Sequence, residues 1–202
     1  MRTSAGAKML LQSLEIPGAT LVRLDRKVDS RGFFARTYCA REFAAAGLTN
    51  AAVQSSVSYN ERRGTVRGMH FQWPPSCEDK LVRCVRGSVV DVLVDLRPDS
   101  PRYLSHLTLY LDQDNRDAVF IPHGVAHGFQ TLADRTEVLY QMSDYFAPEL
   151  GIGFRWNDPA FGIDWPIADI VISDRDASCP DFDRRGFESE LARRTRQSVA
   201  QS

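Results

Sequence analysis

The chain has almost no net charge: 25 basic side chains against 26 acidic ones leave a formal charge of −1. Such a balance supplies no bulk field for nucleic acid or a membrane surface, so any anion must be met by a local cluster. Long apolar runs are also missing. No stretch approaches the roughly 20 residues of a spanning helix, and the N-terminal MRTSAGAKMLLQS lacks the apolar core of a signal peptide. Cysteine is sparse and scattered. Cys39, Cys77, Cys84 and Cys179 form no CxxC and no Cys/His cluster, which reads as a reduced, cytoplasmic protein.

What is present is a β-pattern. A length of 202 residues suits a single domain, and 43% hydrophobic with 25% charged residues is ordinary for a globular chain. In GTVRGMHFQ (64–72), Arg67, Met69 and Phe71 alternate with Gly68, His70 and Gln72, so His70 and Gln72 share a face. In 78–97, Val90, Val92 and Val94 alternate with Asp91, Leu93 and Asp95, the period of a strand. A face carrying basic and imidazole groups on such a scaffold is a pocket wall or an ordinary wet hairpin. Further strands are expected at 18–25, from a turn at 29–34 through about Tyr38, and at 51–60, 65–72, 80–86, 88–96, 104–111, 117–122, 126–132 and 135–143. A short helix at 40–47 ends at Gly47. Many short strands between Gly, Pro and Asp turns argue for a sandwich or barrel. Residues 1–8 are expected to be a disordered leader, 9–183 a single domain, and 184–202 a polar helical or frayed tail, with 154–166 a loop.

Individual chemical groups are ambiguous. His70 is a base or a packed histidine. His127, in FIPHGVAHGF, has Gly124 and Gly128 nearby, which permits close backbone approach. By pattern alone Tyr140 reads as a core-edge tyrosine, Lys80 as a solvated lysine and Asp176 as a turn residue. A metal site fails on spacing. Metal-binding cupins typically use His-x-His on one strand, a glutamate shortly after and a later histidine. Here His70-Phe71-Gln72 lacks the second histidine and Glu78 falls in a loop, so no metal is expected.

Taken together, RGFF (31–34), RGMHFQ (67–72), KLVRCVRG (80–87), DVLVDLR (91–97), IPHGVAHGFQTL (121–132), YQMSDYF (140–146), WNDPAFGIDWP (156–166) and ISDRD (172–176) resemble the dTDP-4-dehydrorhamnose 3,5-epimerases of the cupin superfamily. The resemblance runs from about residue 10 to about residue 183. It implies an all-β jelly-roll sandwich with short peripheral helices, and a homodimer exchanging an N-terminal segment. It also implies a cofactor-free epimerisation at C3 and C5 of a nucleoside-diphospho-4-keto-6-deoxyhexose, a step in dTDP-rhamnose and cell-surface polysaccharide biosynthesis. Both carbons flank the ketone, so their protons are acidic and the reaction needs a base, an acid and a cation at the enolate oxygen. By similarity His70 is the base, Asp176 its orienting partner, Tyr140 the opposite-face acid and Lys80 the cation. Arg67 and His127 would line the sugar pocket, Arg31 and Arg175 would meet the diphosphate, and Phe34 would pack near the nucleotide.

The chain departs from the thymidine enzymes where the nucleotide is read. Arg36 stands where they usually carry a glutamate facing the base, and Gln54-Ser55-Ser56 stands for their Gln-Asp-Asn. Pro122-His123-Gly124 stands for Pro-Glu-Gly, and Arg175 replaces a lysine. Arginine cannot accept a hydrogen bond from a base N–H, so a different base reading is expected at Arg36, with Gln54 and Ser56 also on the substrate. An epimerase acting at one carbon on another nucleotide sugar, and a non-catalytic carbohydrate-binding cupin, are the alternatives.

Overall fold

The computed structural model describes residues 8–48 and 52–201. Its strands in chain order are β1 (Met9–Ser13), β2 (Thr20–Leu24), β3 (Lys27–Asp29), β4 (Gly32–Phe34), β5 (Gln54–Asn60), β6 (Val66–Gln72), β7 (Lys80–Arg86), β8 (Ser88–Asp95), β9 (His106–Asp112), β10 (Ala118–Ile121), β11 (Val125–Thr131), β12 (Thr136–Met142) and β13 (Gly151–Gly153). Three helices accompany them: α1 (Ala40–Ala45), α2 (Asp174–Ala177) and α3 (Arg184–Gln201). The strands form an antiparallel sheet ordered β1-β2-β10-β7-β12-β5 and another ordered β13-β6-β11-β8-β9, with β3 and β4 as a separate hairpin. This is the jelly-roll β-sandwich the sequence implied. The expected leader at 1–8 lies, apart from Lys8, outside the described residues, as does the start of the strand expected at 51–60.

The alternation in β8 sorts its side chains between two cores. Val89 and Leu93 pack between the sheets with Val82, Leu111, Phe129 and Val138. Val90, Val92 and Val94 face the other way, onto Met69, Phe71, Phe154, Phe161 and Phe187. The second cluster exists because the C-terminal third, poor in periodic pattern, carries the aromatics that cover this face. Trp165 donates to the Trp156 carbonyl at 2.8 Å and closes the 154–166 loop. Phe187 of α3 stacks on Trp73 with centroids 4.8 Å apart.

Several expectations are corrected here. The stretch expected at 184–202 as a polar helical or frayed tail is helical over Arg184–Gln201, and α3 packs onto the sandwich, with Phe187 5% exposed against Phe71 and Trp73. Its anchors, Phe187 and the partly buried Leu191 one turn later, are too short an apolar pattern to read in sequence. The strand expected through Tyr38 stops at Phe34, because its hairpin partner β3 begins at Lys27, directly opposite Phe34. Tyr38 instead packs on Phe43 of α1. Strands β1 and β13, of five and three residues, were not expected.

Candidate active site

Arg67 and His70 were placed on opposite faces of β6 by simple alternation, yet both line one cavity. The cause is a register shift. His127 opposes His70 but Phe129 opposes Arg67, so Gly68 and Met69 of β6 face the single residue Gly128 of β11. Gly68 absorbs the extra residue with φ +125, where a Cβ would sit 2.6 Å from the Gly128 Cα. Only glycine fits that approach.

The cavity, about 470 Å³, opens between the two sheets. The sheet containing β6 and β11 contributes Arg67, His70, Gln72 and His127, and the opposing sheet contributes Ser56, Lys80 and Tyr140. Arg175 of α2 stands at its rim. Ser173 caps α2, accepting the Asp176 amide at 3.2 Å, and this short turn directs Asp176 inward while Arg175 remains exposed. Asp176 Oδ1 lies 2.9 Å from His70 Nε2, and its Oδ2 accepts the Gly68 amide at 3.4 Å. With Nε2 as the donor, Nδ1 is the ring's unprotonated nitrogen and the accessible base. Burial favours the neutral Asp176 acid, but the hydrogen bond and charge of His70, the Gly68 amide and Arg175 outweigh it and hold the carboxyl below its ordinary range.

A second histidine–aspartate pair stands directly beside the first. His127 Nε2 lies 2.8 Å from Asp91 Oδ2, and Asp91 is wholly buried. The other Asp91 oxygen has no hydrogen-bond partner among the described residues. The Tyr140 ring meets the His127 ring edge-on at 6.0 Å. Burial first, then the Asp91 charge, drives the Tyr140 phenol well above its ordinary pKa, against a smaller opposing effect of Arg67. The phenol therefore keeps its proton at neutral pH. Asp91 was not singled out in sequence; the available signal was a mid-strand carboxylate flanked by valines in β8. Glu78, in the loop before β7 as expected, is also in the wall, 3.0 Å from Lys80.

Other expected residues are elsewhere. Arg31 is paired with Asp29 on the open hairpin, and Phe34 is 74% exposed there. Arg36 donates to Glu42 of α1 at 2.5 Å, so its guanidinium is held by the chain's own carboxylate. Gln54 accepts the Phe146 amide at 2.5 Å, so its oxygen braces a lining residue. Arg31, Phe34, Arg36 and Gln54 do not line this cavity. A larger cavity of about 690 Å³, between the loops 73–77 and 97–101 and α3, holds Arg97 and His123. Both are already paired, with Asp95 and Asp79, and the catalytic candidates are absent from it. Among the described residues, no group of three or more His, Cys, Asp or Glu side chains is placed to hold a metal ion.

Comparison with known proteins gives consistent matches. The family model for dTDP-4-dehydrorhamnose 3,5-epimerase matches residues 13–184. A dTDP-4-dehydrorhamnose 3,5-epimerase of Sinorhizobium fredii is 38% identical over 174 residues, covering 86% of this chain and 89% of the relative. The crystal structure of a 4-keto-6-deoxy sugar epimerase from the novobiocin biosynthetic gene cluster of Streptomyces spheroides superposes with a TM-score of 0.84 at 34% identity, covering 93% of this chain and 94% of that one. The dTDP-4-dehydrorhamnose 3,5-epimerase of Bacillus anthracis, solved with TDP and PPi bound, has a TM-score of 0.84 at 35% identity, covering 87% of this chain and all of that one (100%).

Proposed function

This chain belongs to the dTDP-4-dehydrorhamnose 3,5-epimerase family, and on that premise we propose how its own residues carry the isomerase reaction. The substrate is a dTDP-linked 4-keto-6-deoxyhexose, epimerised at C3 and C5. The observation that carries the proposal is the joining, in one cavity, of a carboxylate-held imidazole, a phenol held protonated and a lysine.

His70 Nδ1 removes the proton beside the ketone, while Asp176 keeps the proton on Nε2 and stabilises the imidazolium as it forms. Negative charge moves to the carbonyl oxygen, where the Lys80 ammonium, its side chain 17% exposed, offsets it. Tyr140 returns a proton to the opposite face of the carbon, and the configuration inverts. The Asp91–His127 pair backs the sugar pocket with Arg67, and Arg175 at the rim meets the diphosphate through its planar fork. The reaction is redox-neutral, so these groups suffice without a cofactor.

A homodimer with N-terminal segment exchange also belongs to this proposal. It is supported by the open apolar side chains Val28, Phe33 and Phe34 on the hairpin and Val57 and Tyr59 on edge strand β5. It accounts for Arg31 and Phe34 lying outside this protomer's cavity, since a partner's hairpin would bring them to the mouth. Residence in the cytoplasm fits the unpaired cysteines Cys39, Cys77, Cys84 and Cys179. The deciding experiment is incubation with dTDP-4-keto-6-deoxyglucose in deuterium oxide, reading exchange at C3 and C5 by NMR. Exchange at both carbons supports the proposal, exchange at one identifies a mono-epimerase, and none refutes it.

A further inference from the structure

Lys80 has a neighbour that the mechanism above does not use. Glu78 precedes it by two residues, in the loop segment entering β7. Carboxylate and ammonium lie 3.0 Å apart, their side chains are only 6% and 17% exposed, and both line the catalytic cavity. An exposed ion pair contributes little, but here a charge left without its partner would have almost no water to turn to.

The backbone around the pair is tied down on every side. Lys80 is paired across the sheet with Ile121 on β10 and Met142 on β12. Asp79, between the two, accepts from the His123 amide at 2.8 Å and donates its own amide to Ser143 Oγ at 2.8 Å. With the main chain fixed, the remaining freedom is that of the lysine stem, which is long and flexible.

We propose that Glu78 is a positioning residue of the epimerase, holding the Lys80 ammonium at the place where enolate charge develops; this rests on the site reading given above. One ammonium hydrogen serves Glu78, leaving two donors for the substrate oxygen. The cation then needs no search for its geometry as the transition state is reached, which is how a preorganised charge lowers a barrier. Because the lysine acts on charge that appears only during reaction, loss of its anchor lowers kcat and leaves KM nearly unchanged.

The test compares the native protein with Glu78→Gln, Glu78→Asp, Lys80→Ala and the Glu78→Gln/Lys80→Ala double variant. Each is assayed with dTDP-4-keto-6-deoxyglucose for kcat, KM, deuterium exchange and thermal unfolding. Glu78→Gln keeps the shape and removes the charge; its kcat is expected to fall by about ten- to a hundredfold with KM within about twofold. Glu78→Asp is expected to recover part of the rate, and Glu78→Gln to have no further effect once Lys80 is alanine. Three results overturn the proposal: an unchanged rate in Glu78→Gln, an equal loss in the Lys80→Ala background, or a raised KM with normal kcat. If Glu78→Gln does not fold, loss of the Glu78→Asp rate without dependence on Lys80 overturns it equally. A native protein that catalyses no exchange refutes the epimerase reading itself, a result distinct from all of these.

Discussion

Asp176→Asn is expected to leave a folded protein that has lost most of its proton abstraction. The carboxylate side chain is 9% exposed and that of His70 is 46% exposed, so solvent reaches the imidazole but cannot replace what lies behind it. A hydrogen bond to a charged group contributes about 1.5–3 kcal/mol. At about 1.4 kcal/mol per decade of rate, losing the negative charge as the imidazolium forms costs on the order of 10- to 150-fold. The amide adds a second effect. Its NH2 group can face Nε2, which moves the ring proton to Nδ1 and removes the base, extending the loss toward roughly 10⁴-fold as for other orienting carboxylates. The fold is spared because the backbone amide of residue 176 still reaches Ser173 Oγ. The assay is deuterium exchange at C3 and C5 with a thermal melt alongside. A folded Asp176→Asn protein within about threefold of the native rate would refute the dyad, since loss of the charged hydrogen bond costs at least about tenfold. A stability signature accompanies it. The folded Asp176 carboxyl titrates below its ordinary range, so its contribution is present above about pH 3.9 and is lost as pH falls through the lower folded value. The native minus Asp176→Asn difference in Tm should shrink on acidification below that range.

Other perturbations separate the roles. Tyr140→Phe should impair net epimerisation more than wash-out of substrate protons, because His70 can return a solvent-derived proton from its own side; equal losses measured by NMR would assign Tyr140 another task. Extensive dialysis against a chelator should leave turnover unchanged, and a rate that collapses and is restored by zinc, manganese or iron would contradict the mechanism. Arg36→Ala removes a half-exposed ion pair with Glu42, so unfolding should shift by no more than about 1 kcal/mol, with the kcat/KM ratio for thymidine over guanosine substrates unchanged. A changed ratio would return Arg36 to base reading. Gly128→Ala places a Cβ 2.7 Å from Met69 Sδ and 2.9 Å from the Arg67 carbonyl, and should destabilise by about 1–3 kcal/mol in denaturant titration.

Local pattern was enough for most of the sheet skeleton, because strand alternation is written in nearest neighbours. The strands at 80–86 and near 88–96, 126–132 and 135–143, the short helix near 40–47 and the shared face of His70 and Gln72 were all legible. The motifs that carry the family resemblance also named His70, Lys80, Tyr140, His127, Arg67 and Arg175, which the fold brings to one cavity. Tertiary structure decided what depends on partners distant in sequence. The bulge at Gly68 turns Arg67 toward His70 only because β11 lies alongside with Gly128 opposite. Asp91 looked like one more polar residue of β8 until His127, 36 residues later, closed on it. Glu42 and Asp29 claim Arg36 and Arg31, which composition alone left free. Glu78 became a cavity residue, and α3 part of the core, once the C-terminal aromatics had covered the outer face of β8. A periodicity records which face a side chain leaves by; which groups meet it there is set by long-range pairing and burial, and those arise only when the whole chain has folded.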